Sequence, residues 1–377
     1  MKRHQQLLET KLEARKESGI LREMQLPGNG VDFCSNDYLG FKDHPLLKAE
    51  AIHLLTETKL PLGSGGSRLL AGNSDQLQRL EKETAAFFKS EKALFFNSGF
   101  DANLGIFSSV PQKNDIILYD ELVHASIRDG IRLSFARSYS FAHNKPEALE
   151  KKLKLFRGST IYVAVESVYS MDGDTAPLRD MVNVCQNYDA ALIVDEAHAT
   201  GVLGSGRGAC EQENVSDHVF ARVFTFGKAL GSHGAAVCGS VILQEYLLNF
   251  SRSFIYTTAF SPFQAKLTSL SLQFLQEHPE MISALQKRIN FFDQQAAKAG
   301  ISKWFIPGNS AIKCLLTGNG EKSRKIAATL RENGFEVRPV LSPTVAQGSE
   351  RIRICLHVFN SESEIADLIH QLKIALT

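Results

Sequence analysis

The chain has 377 residues, 44% hydrophobic and 22% charged, with 42 Lys+Arg against 41 Asp+Glu. This is a folded globular composition that excludes disordered and fibrous classes. Its formal charge of +1 carries no electrostatic footprint for nucleic acid or an anionic membrane. At about 100–200 residues per domain a second folding unit is expected. No apolar run approaches the ~20 residues of a membrane span, and the six cysteines include no C-x-x-C pair, so neither a zinc site nor a disulfide framework is indicated.

The N-terminal MKRHQQLLETKLEARKE is charged and lacks the apolar core of a signal peptide, and a reducing cytoplasm is the expected compartment. Leu7, Leu8, Leu12, Ile20, Leu21 and Met24 recur at helical spacing, which predicts a helix over 6–24 lying on another surface. SDQLQRLEKETAAFF (74–88) reads as a helix with Ser74 as N-cap. Apolar segments at 93–96, 115–119, 160–166, 191–195, 221–226 and 237–243 read as strands, with helices at 124–135, 146–155 and 178–188 between several of them. Near-continuous Val/Ile/Leu strands alternating with helices predict an α/β fold whose largely parallel sheet is covered on both faces. Helices at 262–276 and 279–299, strands at 311–316, 335–340 and 351–356, and a helix at 361–376 form a smaller α+β unit. The expected division is an N-terminal segment 1–45, a large domain 46–276 and a small domain 277–377.

Ligands of open parallel sheets bind beyond the carboxyl ends of the strands, and the polar, glycine-rich stretches follow the strands here. NSGFDAN (97–103), DELVHASIRDG (120–130), ESVYSMDGD (166–174), DEAHATGVLG (195–204) and GKALGS (227–232) all lie at strand ends. DEAH also occurs in helicases, but that chemistry needs a G-x-x-x-x-G-K-[ST] loop, and GSGGSR (63–68) has no lysine. Lys228 sits among apolar and glycine neighbours, where burial favours loss of its proton. An Asp at one strand end and a Lys some thirty residues later at another suit pyridoxal phosphate: the amine forms a Schiff base, and the carboxylate keeps the pyridine nitrogen protonated.

With SNDYLG (35–40), FIYTT (254–258) and RIRI (351–354) added in order and spacing, the chain resembles the α-oxoamine synthases, a branch of the fold-type I pyridoxal-phosphate enzymes. The resemblance implies a mostly parallel seven-stranded sheet in the large domain and a homodimer with sites shared between chains. It implies Lys228 as the Schiff-base lysine and proton-transferring base, Asp195 beside the pyridine nitrogen, and His198 and Ser170 about the phenolic oxygen. His124 would stack on the ring, the amides of Gly99 and Phe100 would cradle the phosphate at a helix N-terminus, and Thr225 would bind it too. Thr257 or Thr258 would reach the neighbouring subunit's phosphate. Asn36 and Arg353 would hold the amino-acid carboxylate, with Arg22 and Thr344 as further substrate contacts; of the two arginines of RIRI, Arg353 rather than Arg351 is the one expected.

The implied reaction joins an amino acid to an acyl thioester with loss of carbon dioxide. GSGGSR and GKALGSHGA resemble the biotin-pathway branch, which implies L-alanine and a pimeloyl thioester of coenzyme A or of an acyl carrier protein. The alternatives are a branch taking glycine or serine, and a non-catalytic partner subunit. A departure falls at Leu77, where the family often has histidine; with Leu80 it reads as a core position. His143 reads as structural and His233 as near the site, while His44, His53 and His218 lack partners at metal-ligand spacing.

Overall fold

The structure, a computed structural model, describes residues 2–24, 26, 28–57 and 59–376. The strands are β1 Val31–Asp32, β2 Lys92–Phe96, β3 Ile116–Asp120, β4 Arg137–Phe141, β5 Ile161–Glu166, β6 Ala191–Asp195, β7 Ala221–Thr225, β8 Ala235–Gly239, β9 Ile312–Leu316, β10 Phe335–Glu336, β11 Arg338–Val340 and β12 Arg351–Cys355. Seven of them form one sheet in the order β2-β8-β7-β6-β5-β3-β4, in which β8 alone runs against its neighbours. Because side chains alternate across a strand, Val163 and Val165 of β5 enter one core while Ala164 enters the other. Both faces are thus buried, which is why these strands are apolar without interruption. The first core continues into the C-terminal unit through Ile312, Ile352 and Ile365.

That unit is an antiparallel sheet, β11-β12-β9, packed by the helices Glu280–Ala299, Gly320–Glu332 and Glu362–Leu376. β1 pairs in parallel with β10, the amide of Cys355 donates to Phe33 O at 2.8 Å, and that of Val358 donates to Tyr38 O at 3.0 Å. Residues 31–38 are therefore bound to the C-terminal unit, and they carry Asn36 and Tyr38 to the edge of the large sheet. Leu77 is fully buried beside Leu80, on a helix Asp75–Phe87 capped by the Ser74 hydroxyl.

Three expectations are corrected. The first helix spans Lys2–Glu17 and buries no side chain in this chain, so Ile20, Leu21 and Met24 lie beyond it. It stops where Gly19 takes φ 64°, with the amide of Ile20 reaching back to Arg15 O at 2.9 Å and that of Gly19 to Lys16 O at 2.9 Å, a glycine helix terminus. The apolar run 237–243 divides between β8 and the helix Val241–Phe250, because the Ser240 hydroxyl accepts the amide of Leu243 at 3.1 Å and starts the helix. The run 335–340 splits into β10 and β11, which belong to different sheets.

Candidate active site

Three adjacent strands bring the site together at their carboxyl ends. β5 ends at Glu166, β6 at Asp195 and β7 at Thr225, with Glu166 and Asp195 in register. Asp195 Oδ1 accepts the Ala197 amide at 2.8 Å, and its Oδ2 accepts Nδ2 of Asn103 at 2.7 Å. Both oxygens are held as acceptors, the arrangement an ionised carboxylate requires. His198 is buried in the turn after β6. Its Nδ1 lies 2.7 Å from the Tyr38 hydroxyl and its Nε2 3.1 Å from Lys228 Nζ.

His124 caps the helix Ala125–Leu133, its Nδ1 accepting the Ser126 amide at 3.2 Å, and it lines the cavity. Across from it the helix Gly99–Ser109 begins, capped by the Ser98 hydroxyl, which accepts the Asp101 amide at 3.0 Å. Amides of a first helical turn have no acceptor within the helix. Gly99 is required there: a Cβ on it would lie 2.6 Å from the Thr225 methyl. These groups surround a cavity of about 350 Å³, whose wall also includes Asn36, Glu166 and His233.

Burial sets the electrostatics. It lowers the Lys228 amine below its usual range against the opposing charges of Asp195 and Glu166. It holds His198 well below the usual histidine range, helped by the charge of Lys228, and lowers His124 against the pull of Asp195. Glu166 moves the other way: burial and then the Asp195 charge push its carboxyl well up, and its Oε1 is buried with no hydrogen-bond partner. The set is a depressed amine, a neutral imidazole and one fixed carboxylate around a single cavity.

Of the residues expected from sequence, Lys228, Asp195, His198, His124, Gly99, Phe100, Thr225 and Asn36 all line this cavity. Arg353 borders it through Asn36, donating from Nη2 to its Oδ1 at 2.9 Å, and donates from Nε to the carbonyl of Ser170 at 2.7 Å. Arg351 points instead to Asp172, at 2.6 Å. Ser170 offers its backbone rather than its hydroxyl and lies outside the cavity wall. Arg22 and Thr344 meet each other at 3.3 Å but are exposed and do not line the cavity. Thr257 and Thr258 line a separate cavity of about 480 Å³ with Leu69, Leu70 and Tyr256. Tyr38, Asn103 and Glu166 also belong to the site, each inside a segment that the sequence marks, SNDYLG, NSGFDAN and ESVYSMDGD. No cluster of potential metal ligands occurs among the described residues.

The family profile described as aminotransferase class I and II matches residues 28–372. The chain belongs to that family and, within it, to the α-oxoamine synthases. It is 39% identical to an 8-amino-7-oxononanoate synthase of Emericella nidulans over 91% of this chain and 89% of the relative. It is 38% identical to another of that name from Cellvibrio japonicus, over 93% and 89%. Among solved structures, the 8-amino-7-oxononanoate synthase of Francisella tularensis aligns with TM-score 0.78 at 30% identity, covering 92% of this chain and 98% of that one. Serine palmitoyltransferase from S. paucimobilis aligns with TM-score 0.88 at 25% identity, covering 98% and 96%.

Proposed function

We propose that the chain is a pyridoxal-phosphate-dependent 8-amino-7-oxononanoate synthase, which condenses L-alanine with a pimeloyl thioester, releasing carbon dioxide and the thiol. The observation that carries the reaction class is the meeting of Lys228, Asp195, His198 and His124 around one cavity. The choice of substrates rests on full-length relatives of that name at 38–39% identity. The serine palmitoyltransferase backbone superposes more closely but at lower identity, and fold alone does not select a substrate.

The cavity fits the cofactor in three places. The open first turn at Gly99 and Phe100, which a Cβ on Gly99 would fill, suits a phosphate. Asp195, fixed by Asn103, would hold a protonated ring nitrogen, and Lys228 would anchor the aldehyde carbon. When bound, pyridoxal phosphate supplies an electron sink for the pair left at the amino acid's Cα.

The remaining work falls to the chain. Lys228 Nζ, kept from full protonation by burial, takes the α-proton of alanine. Arg353 and Asn36, joined to each other, bind the alanine carboxylate and set Cα towards the lysine. His198 faces Lys228 with its Nε2 3.1 Å from Nζ, and His124 lines the cavity with it. Attack of the Cα pair on the thioester carbonyl forms the new C–C bond and expels the thiolate. The carboxyl group then leaves as carbon dioxide, and a proton returned from Lys228 completes the aminoketone.

Assembly as a homodimer is part of the proposal, because Thr257 and Thr258 line a cavity separate from that of Lys228 within one chain and would serve the partner's phosphate. So are a cytoplasmic location and a thioester carried by coenzyme A or by an acyl carrier protein. No described helix is long and apolar enough to cross a membrane. The test is spectroscopic: the protein with pyridoxal phosphate is expected to be yellow, and addition of L-alanine to shift its absorbance. A protein that stays colourless with the cofactor overturns the reading.

A further inference from the structure

Tyr38 is 1% exposed, and its hydroxyl stands between Nδ1 of His198 and the amide oxygen of Asn36. It lies 2.7 Å from His198 Nδ1 and 3.2 Å from Asn36 Oδ1. The hydroxyl has one proton to give, and burial raises its pKa so that it keeps that proton. Asn36 Oδ1 is already satisfied by the charged donor Arg353 Nη2 at 2.9 Å. The shorter of its two contacts is the one to the histidine, 2.7 against 3.2 Å.

We propose that Tyr38 is a positioning residue: its hydroxyl donates to Nδ1 of His198, which leaves the ring's single proton on Nε2 and turns that N–H into the cavity towards Lys228. A neutral imidazole has one donor and one acceptor nitrogen, and the bond made by one fixes the other. The Nε2–H, 3.1 Å from Nζ, can be accepted by a neutral amine but opposes an ammonium. Tyr38 thereby helps hold Lys228 unprotonated, in addition to burial.

The charged and titratable groups facing Lys228 are His198, Asp195, Glu166 and Arg353; the carboxylates pull its pKa up and Arg353 pushes it down. Those facing His198 are Tyr38, Lys228, Arg353 and His124. Replacing Tyr38 by Phe alters none of these charges. It removes the donor to Nδ1 together with the hydroxyl's contact to Asn36, so the ring can move its proton to Nδ1 and offer Nε2 as an acceptor to an ammonium.

The role of Lys228 rests on the cofactor reading above, whereas the tautomer does not, and the two measurements separate them. Nitrogen-15 NMR of histidine-labelled protein, with His198→Asn identifying the resonance, is expected to show His198 protonated on Nε2 in the wild type. In Y38F the proton is expected to move towards Nδ1. The pH midpoint for capture of pyridoxal phosphate by Lys228 is expected to rise by about 1 in Y38F, the scale of one hydrogen bond. A wild-type His198 protonated on Nδ1, or a pH midpoint unchanged in Y38F, overturns the proposal. No capture of the cofactor by the wild type contradicts the reading of the cavity instead, and leaves the tautomer measurement to decide Tyr38.

Discussion

Lys228 and Asp195 occupy the same cavity, and each is tuned by a neighbour that comes from a distant part of the chain. Asn103 is 92 positions from Asp195, and Tyr38 is 160 from His198. Removing the Asn103 amide as Asn103→Leu leaves a buried carboxylate oxygen without its donor, a cost of roughly 1–3 kcal/mol. Weaker binding of pyridoxal phosphate by about tenfold is therefore expected in an equilibrium titration; binding as tight as the wild type's would show that Asn103 does not support Asp195. Lys228→Ala should abolish the visible absorbance of the bound cofactor, and an unchanged spectrum would place the reactive amine elsewhere. The sequence made the site's location legible, because polar segments follow apolar strands and strand ends converge. It did not make these supporting contacts legible, since Tyr38, Asn103 and Glu166 acquire their roles only when separate segments meet.

Beside the site, His143 ties three strand-end segments together. Its Nδ1 donates to Asp120 at 2.9 Å, at the end of β3, and its Nε2 donates to Asp174 at 2.8 Å, in the turn after β5. Burial would lower its pKa, but these two carboxylates outweigh that and raise it to about 10. A histidine raised on folding stabilises the fold fully below its unfolded pKa of about 6.5. That contribution then declines with rising pH and is lost above about 10. After allowance for partial solvent exposure it amounts to about 3 kcal/mol. Denaturant melts should show stability falling between pH 7 and pH 10 more steeply in the wild type than in His143→Gln, and equal slopes would contradict the clamp. Elements were legible where burial is two-sided, as in TIYVAVE and ALIVD, and less so elsewhere. The edge strand β4, RSYSF, has no continuous apolar run because it is largely exposed. The helix after β8 is set by the Ser240 cap rather than by hydrophobicity, and the reach of β1 to β10 is a tertiary contact with no local signal.

At the scale of the molecule, the exposed apolar groups include several on the N-terminal helix and several on the surface around Thr257. Leu7, Leu8 and Leu12 are each more than half exposed, and Leu70 and Tyr256 are 89% and 72% exposed. Apolar clusters of this kind mark association surfaces, and a homodimer is the expected occupant. Sedimentation should give twice the 41.7 kDa of one chain, and a fully active monomer would contradict shared sites. The central claim, that this cavity joins alanine to a long dicarboxylic thioester, is tested most directly by one matrix. Glycine, L-alanine and L-serine are each offered with acetyl, succinyl, pimeloyl and palmitoyl thioesters, and thiol release is followed. The account predicts the highest kcat/KM for L-alanine with the pimeloyl thioester, with carbon dioxide released in equal amount. An optimum at glycine with acetyl, or at serine with palmitoyl, would contradict it.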